Sequence, residues 1–326
     1  MELEKVYENI INGTAILITG SGAHINVHTP DGKPFPSGVS LAERLYQQCD
    51  IMNIENPWDL QDASETYIDK YSKERLITEI KTQLMVGNVE DEHRKLYSCN
   101  WQRIYTTNYD NVPRISTMGE KESLIPITLG MKRRDEYLQQ KICVYINGYI
   151  ERLDEKTLDD EFKLTGKSYL AASNLENSEW GAVFAEDIET ADSIVIVGLS
   201  LDYDLDIKRF IYNKNVKDKI VFIEKEEISD SKTRKMERLG EVKKIGMEKF
   251  VNDLIKYKEQ HISDKTKEEY TIYKSFSVYD KKNTMKKATT FEVYDLFMRG
   301  EIKDCLWNRK DGKYKNITPF SELCVP

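Results

Sequence analysis

The sequence predicts an α/β fold, a mainly parallel sheet with helices on both faces, followed by a small C-terminal module. Two observations predict it. Three short apolar, β-branched runs read as strands buried on both faces: TAILIT (14–19), SIVIVG (193–198) and KIVFIE (219–224). Between such runs apolar residues recur at helical spacing, and strands alternating with helices imply parallel pairing. The 326 residues leave room for roughly two domains. Apolar residues at 40% and charged residues at 32% suit a globular chain with a well-solvated surface.

Taken in order, Leu41, Leu45 and Cys49 share one helical face, and Tyr67, Tyr71, Ile77, Ile80 and Leu84 share another. RIYTT (103–107), LIPIT (124–128) and ICVYI (142–146) are weaker strand candidates. Trp180, Val183, Phe184, Asp187 and Ala191 form the next apolar face, with Asp187 the one polar intruder. Ile207, Phe210 and Ile211 mark a further helix, and Phe250, Leu254 and Tyr257 one more. KTRKMERLGEVKK (232–244) mixes bases with acids and reads as a solvated helix and turn. From about 262 to 284 the chain is rich in Lys, Glu, Asp, Ser and Tyr, as an exposed connection would be. The expected division is therefore a main domain over 1–262, a connecting segment over 263–284 and a small module over 285–326. That module contains FEVYDLFMRGEIKDCLW, and it ends on FSELCVP without a charged tail, which is consistent with a piece of a longer protein and equally with a chain that stops there.

Charge and composition exclude several classes. A net charge of −8 and a pI near 5.3 argue against a general nucleic-acid or anionic-membrane surface. No stretch approaches the roughly 18 consecutive apolar residues of a membrane helix. The start, MELEKVYENIING, is acidic and amphipathic rather than a signal peptide, so a cytoplasmic location is the default. Five cysteines (Cys49, Cys99, Cys143, Cys305, Cys324) never form a CxxC pair, so neither a disulfide framework nor a zinc site is expected. His93 and His261 fall in charged stretches and are expected to be exposed.

Four stretches carry chemistry. TGSGAH (19–24) follows a buried strand. Gly20 and Gly22 let the backbone approach a ligand, although the full G-x-G-x-x-G pattern and the triphosphate P-loop are absent. IYTTNYDN (104–111) gathers Asn108, Tyr109, Asp110 and Asn111 at a strand end, where parallel sheets hold ligands; an Asx-turn capping the next helix is the plainer alternative. VGLSLDYDLDI (197–207) ends its strand on Gly198 and Ser200 and then alternates Asp202, Asp204 and Asp206. A calcium loop would need a glycine and a closing glutamate that are missing, so these aspartates are assigned to the N-terminus of a helix starting near Asp204. Last, ICVYINGYI (142–150) runs from a strand into Asn147-Gly148, which is either a turn or the edge of a site.

Together and in this order, these stretches resemble the sirtuin superfamily. TGSGA is similar to its G-A-G-x-S turn, TTNYD to T-Q-N-I-D, NGYI to H-G-S-I and GLSL to G-T-S-L, over roughly Thr14 to Glu224. TTNYDN resembles in particular the NAD-consuming domains of bacterial antiphage defence proteins. The resemblance implies a Rossmann-like sheet that binds NAD, without a metal. Gly20, Ser21, Gly22 and Ala23 would lie at the pyrophosphate. Thr107, Asn108 and Asp110 would lie beside the nicotinamide ribose, and Gly198, Ser200 and Glu224 on the adenosine side. It further implies NAD hydrolysis to nicotinamide and ADP-ribose, with a homo-oligomer, a sensor domain or a partner protein controlling it.

Two departures shape the expectation. The zinc ribbon with two CxxC pairs, found in the family's protein deacylases, has no counterpart here, which sets deacylation behind hydrolysis. The family histidine before the glycine is replaced by Asn147, or by Tyr145 if the alignment slips by two residues. Neither serves as a base near neutral pH. His24 and His28, in the loop after the glycine turn, are expected to be solvated, with substitution for the missing histidine as the alternative. A natural pseudoenzyme, an engineered inactive variant, a binding or sensing module for NAD or an ADP-ribose derivative, and an enzyme without its histidine all stand open at this point.

Overall fold

Seven strands carry the first part of the chain: β1 (Ala15–Thr19), β2 (Arg103–Thr106), β3 (Ile125–Thr128), β4 (Ile142–Tyr145), β5 (Ser193–Val197), β6 (Ile220–Glu224) and β7 (Glu241–Lys244). The computed structural model describes residues 2–52, 59–120, 122–171, 174–199, 201 and 204–273, and beyond them the strands 276–280, 285–288, 302–308 and 314–316. Every residue of β1, β5 and β6 is buried, so apolar side chains occupy both faces and helices must cover both. The strand order is β3-β4-β2-β1-β5-β6-β7, and every pairing is parallel. This is the Rossmann-like α/β sheet expected from the sequence.

The order fixes where a ligand can sit. From β1 the chain crosses to β2 on one side and returns to β5 on the other, so the strand order reverses at β1. Loops leaving the carboxyl ends of β1, β2 and β5 diverge there and open a crevice. ICVYINGYI makes no hairpin, because β4 pairs in parallel with both β2 and β3. Its glycine answers a different need: Gly148 has φ +102°, and a Cβ there would stand 2.7 Å from Phe162 Cα.

Three expectations are corrected. The face drawn through Tyr67 and Leu84 belongs to two helices, Leu60–Lys70 and Lys73–Leu84, separated where the Ser72 side chain caps the second by accepting from Arg75 N–H. Leu76, Ile80 and Leu84 are the buried positions of the second helix, while Tyr71 is exposed. The basic run 232–244 holds a helix, Asp230–Glu237, and then the edge strand β7. Lysines on an edge strand leave little apolar signal and discourage pairing with another sheet.

The core gathers Tyr105, Trp180, Phe184, Ile194, Ile196 and Phe222 among others, each worth about 1.5–3 kcal/mol when fully buried. Asp187, the polar intruder on the helix Glu179–Thr190, is buried with partners. It accepts from Arg103 Nε at 2.6 Å, Tyr105 Oη at 2.5 Å and Gln102 Nε2 at 3.1 Å, which ties this helix to β2. Removing one side of such a pair costs about 3–5 kcal/mol.

The chain falls into two compact units, Met1–Leu254 and Ile255–Pro326. The second contains a four-stranded antiparallel sheet of order β11-β10-β8-β9, with β8 Phe276–Asp280, β9 Met285–Ala288, β10 Ile302–Asn308 and β11 Tyr314–Asn316. Residues 263–273 of the expected connecting segment continue the helix Met247–Tyr273. No helix among the described residues is long and apolar enough to cross a membrane.

Candidate functional site

Two glycine turns meet at the crevice. Gly22 N–H donates to Gly198 O at 2.9 Å, and a Cβ on Gly198, whose φ is +65°, would lie 2.0 Å from Ala23 N. The turn after β1 and the turn after β5 are thus packed backbone on backbone, which only residues without side chains permit. The amides of Gly20, Gly22 and Ala23 all bond to backbone carbonyls. These glycines therefore offer a ligand closeness of approach rather than free N–H groups.

On either side of this contact lies a cavity within the usual ligand-site range. One, of about 890 Å³, is lined by Ser21, His24, Thr107, Asn108, Asp110, Asn147 and Asp204 among others. The second, of about 870 Å³, is lined by Ala23, His93, Glu224, Ser229 and Gly246 among others. Gly22, Gly198 and Lys232 line both.

The floor of the first cavity is a hydrogen-bonded network. Asp110 Oδ1 accepts from Val112 N–H at 2.9 Å, the Asx-turn that starts the next short helix. Its other oxygen lies 2.8 Å from His24 Nδ1, which is also 2.8 Å from Asn108 Nδ2. His24 Nε2 lies 2.7 Å from Tyr97 Oη, and Tyr97 donates on to Thr19 Oγ1 at 3.2 Å. Nδ1 stands between the Asp110 carboxylate and the Asn108 amide, and in a given tautomer it bonds one of them, donating to the first or accepting from the second. The expectation that His24 would be solvated is overturned, since it is 2% exposed. The short 3-10 turn Ser21–His24 tucks the ring inward, against Tyr97 from a helix far along the chain. With both nitrogens engaged, His24 positions Asn108 and is not free to take a proton from a ligand. His28 stays exposed.

Asn147 lies on the wall of the first cavity. Its Nδ2 donates to Thr107 O at 2.9 Å, which ties the turn after β4 to the end of β2, and its side chain faces the Asp204 carboxyl group across the same cavity wall. Tyr145 is fully buried in the sheet, and burial holds its hydroxyl well above the usual tyrosine range. It does not line either cavity. Asp204 stands at the N-terminus of the helix Leu205–Lys214, as expected, but makes no side-chain cap bond to it. Burial, with Asp206 nearby, pushes its pKa up to about 6. Ser200 and Asp202 lie outside the described residues.

The second cavity holds Glu224, at the end of β6. Its Oε2 accepts from Lys232 Nζ at 3.1 Å, while its Oε1 is buried with no partner among the described residues. His93 is buried too, contrary to expectation. Its Nε2 donates to Ala23 O at 3.0 Å and its Nδ1 has no partner among the described residues. Burial, then His24 beside it, lowers its pKa to about 4, so it is neutral near pH 7. The charged sequence around it belongs to the outer face of one helix, Asp91–Ser98, whose inner face is buried. Among the described residues no group of three or more His, Cys, Asp or Glu side chains is placed to hold a metal.

No protein-family model matches this chain, and no curated protein does. Among solved structures it is similar to a Sir2 enzyme from work on the mechanism and regulation of those enzymes, with 12% identity, 81% of this chain and 100% of that chain covered, and a TM-score of 0.44. It is similar to a Sir2 homologue, mutated at three positions, in complex with 2′-O-acetyl ADP ribose, at 11% identity, 81% and 98% coverage and a TM-score of 0.41. It is also similar to Sir2Af2 bound to a myristoylated histone peptide, at 11% identity, 80% and 98% coverage and a TM-score of 0.38. These likenesses are distant, and the parallel sheet described above stands on its own hydrogen bonding.

Proposed function

We propose that this chain binds NAD across the two adjoining cavities and hydrolyses it to nicotinamide and ADP-ribose. The observation that carries the reading is convergence. The four stretches that resemble sirtuin motifs, spread between positions 19 and 207, all reach one crevice, at the strand ends where parallel sheets hold ligands. The residues fit a dinucleotide. Glu224 Oε1 is an orphaned acceptor suited to a ribose hydroxyl, and the packed glycines leave room for a pyrophosphate with Lys232 in reach of both cavities. Asn108, packed against His24, orients the attacking water beside the nicotinamide ribose, and Asp110 shapes the turn below it by accepting from Val112 N–H.

Cleavage breaks the C1′–N bond, and the electron pair leaves with nicotinamide, which becomes neutral. The leaving group is already cationic, so orientation and a preorganised polar wall can carry much of the rate. The TTNYDN stretch supports a further step in the reading: the chain is an effector of bacterial antiphage defence, switched by self-assembly, a sensor domain or a partner. Asn147 in the family histidine's place favours a second reading, a non-catalytic module that binds NAD or an ADP-ribose derivative.

Incubation of the purified chain with NAD, alone and with an acyl-lysine peptide, followed by chromatography, separates these readings. Peptide-independent release of nicotinamide and ADP-ribose is expected. Release only with peptide would mean a deacylase, and tight NAD binding without release would mean a sensor. Loss of phage protection in cells carrying Asn108→Ala tests the defence role.

A further inference from the structure

The cavity wall offers an answer to the missing histidine. Asn147, in that histidine's place, is not an inert replacement. One amide hydrogen goes to Thr107 O, which sets the side chain beside the Asp204 carboxylate on the cavity wall. Asp204 in turn stands at a helix N-terminus yet gives that helix no cap bond, and it lines the same cavity as Asn108. A carboxylate that starts a helix without capping it is turned to another use.

We propose that Asp204, on the cavity wall beside Asn147, is the catalytic base of this site and takes the proton of the water that Asn108 orients. This rests on the hydrolase reading above. In the step, the water oxygen forms a bond to C1′ as the C1′–N bond breaks, the electron pair departs with nicotinamide, and the water's proton passes to Asp204. Asp204 then releases that proton to solvent, which restores the free enzyme.

Electrostatics agree with the assignment. A carboxylate at the ordinary value near 4 is a poor base at neutral pH, whereas one raised to about 6 takes a proton readily and is still ionised at pH 7. Burial is the first cause, Asp206 adds to it, and the Asn147 amide acts in the opposite direction. Asp206 comes from its own helix, Tyr109 from the loop after β2, Tyr169 from the short helix Gly166–Tyr169, and Asp59 and Lys232 line the same cavity. Lys232 is the one cation of this set, and it is paired with Glu224.

The test combines a pH profile with proton release. NAD hydrolysis is measured from pH 5 to 8 in the parent, Asp204→Asn and Asp204→Glu. ADP-ribose binding is followed by calorimetry at pH 6 in two buffers of different ionisation enthalpy. The ADP-ribose hydroxyl at C1′ occupies the position of the attacking water, so its donation to Asp204 should expel a proton on binding.

The expected result is a parent rate that rises with pH through a midpoint near 6. Asp204→Asn should lower kcat by roughly 10²–10⁴-fold with little change in KM, flatten the pH limb and abolish proton release. Asp204→Glu should recover part of the rate and keep a limb. Binding of ADP-ribose by Asp204→Asn shows that the variant is folded; if it is not, the parent limb and the Asp204→Glu profile decide the matter. A parent with no limb in this range, or an Asp204→Asn variant that keeps rate and limb, overturns the assignment and leaves the hydrolase reading standing. A parent that never cleaves NAD overturns both.

Discussion

On one side of the Gly22–Gly198 contact, Glu224 Oε1 and His93 Nδ1 are buried acceptors with no partner among the described residues. On the other side His24 Nδ1 meets both Asn108 and Asp110, Asp110 accepts from Val112 N–H, and Asn147 donates to Thr107 O. The first arrangement keeps hydrogen-bonding capacity in reserve, which a ligand can use and which costs stability until it does. The second has fixed its side chains in advance, as a site needs where orientation sets the rate. On the hydrolase reading proposed above, one cavity recognises and the other orients, and variants on the two sides should fail in different ways.

The sharpest contrast is Asn108→Ala. Removing the group that aims the water should lower kcat for NAD hydrolysis by roughly 10²–10⁴-fold while ADP-ribose still binds, as calorimetry would show. Equal loss of rate and of binding would erase the distinction between the cavities.

His93 supplies the next largest effect, on stability. Its folded pKa, about 4, lies below the unfolded value near 6.5, so the unfolded chain takes up a proton first as pH falls. Its effect is absent above pH 6.5, grows as pH drops towards 4, and reaches about 3 kcal/mol of lost stability. Denaturant midpoints at pH 7.5 and 5 should therefore fall further apart in the parent than in His93→Gln. Identical pH sensitivity in the two proteins would mean that His93 is not held neutral.

His24→Ala should lower kcat by roughly 10–100-fold, the worth of about 1–3 kcal/mol of hydrogen bonding to Asn108. His24→Gln, which still offers an acceptor, should recover part of it. Rescue is the informative readout, because a merely structural role would leave both variants equally impaired. The smallest effect belongs to the recognising side. Glu224→Gln should raise KM about tenfold with kcat nearly unchanged, since a ribose hydroxyl contact far from the scissile bond is made equally in ground and transition states.

Much of this molecule is legible in its sequence, and the exceptions have physical causes. β1, β5 and β6 announce themselves because burial on both faces demands an unbroken apolar run. β7 does not, because an edge strand of EVKK needs only one apolar side chain. The helix break at Ser72 is hidden by apolar residues that keep similar spacing on both sides of it. Glycine turns and the TTNYDN cluster are readable since strand ends fall at fixed places in a parallel sheet. The burial of His24 and His93 is not, because it depends on Tyr97, Asp110 and Ala23, partners brought near only by the fold. Asp204 shows the limit of local rules: its position at a helix start is predicted correctly, whereas its place beside Asn147 and Asn108 on one cavity wall comes from tertiary structure.

The most direct test of the account is NAD hydrolysis in heavy-oxygen water, with the products read by mass spectrometry. Attack by water at C1′ predicts nicotinamide without label and ADP-ribose carrying one heavy oxygen, and both should vanish in Asn108→Ala. NAD that stays intact, or ADP-ribose that forms unlabelled, would contradict it.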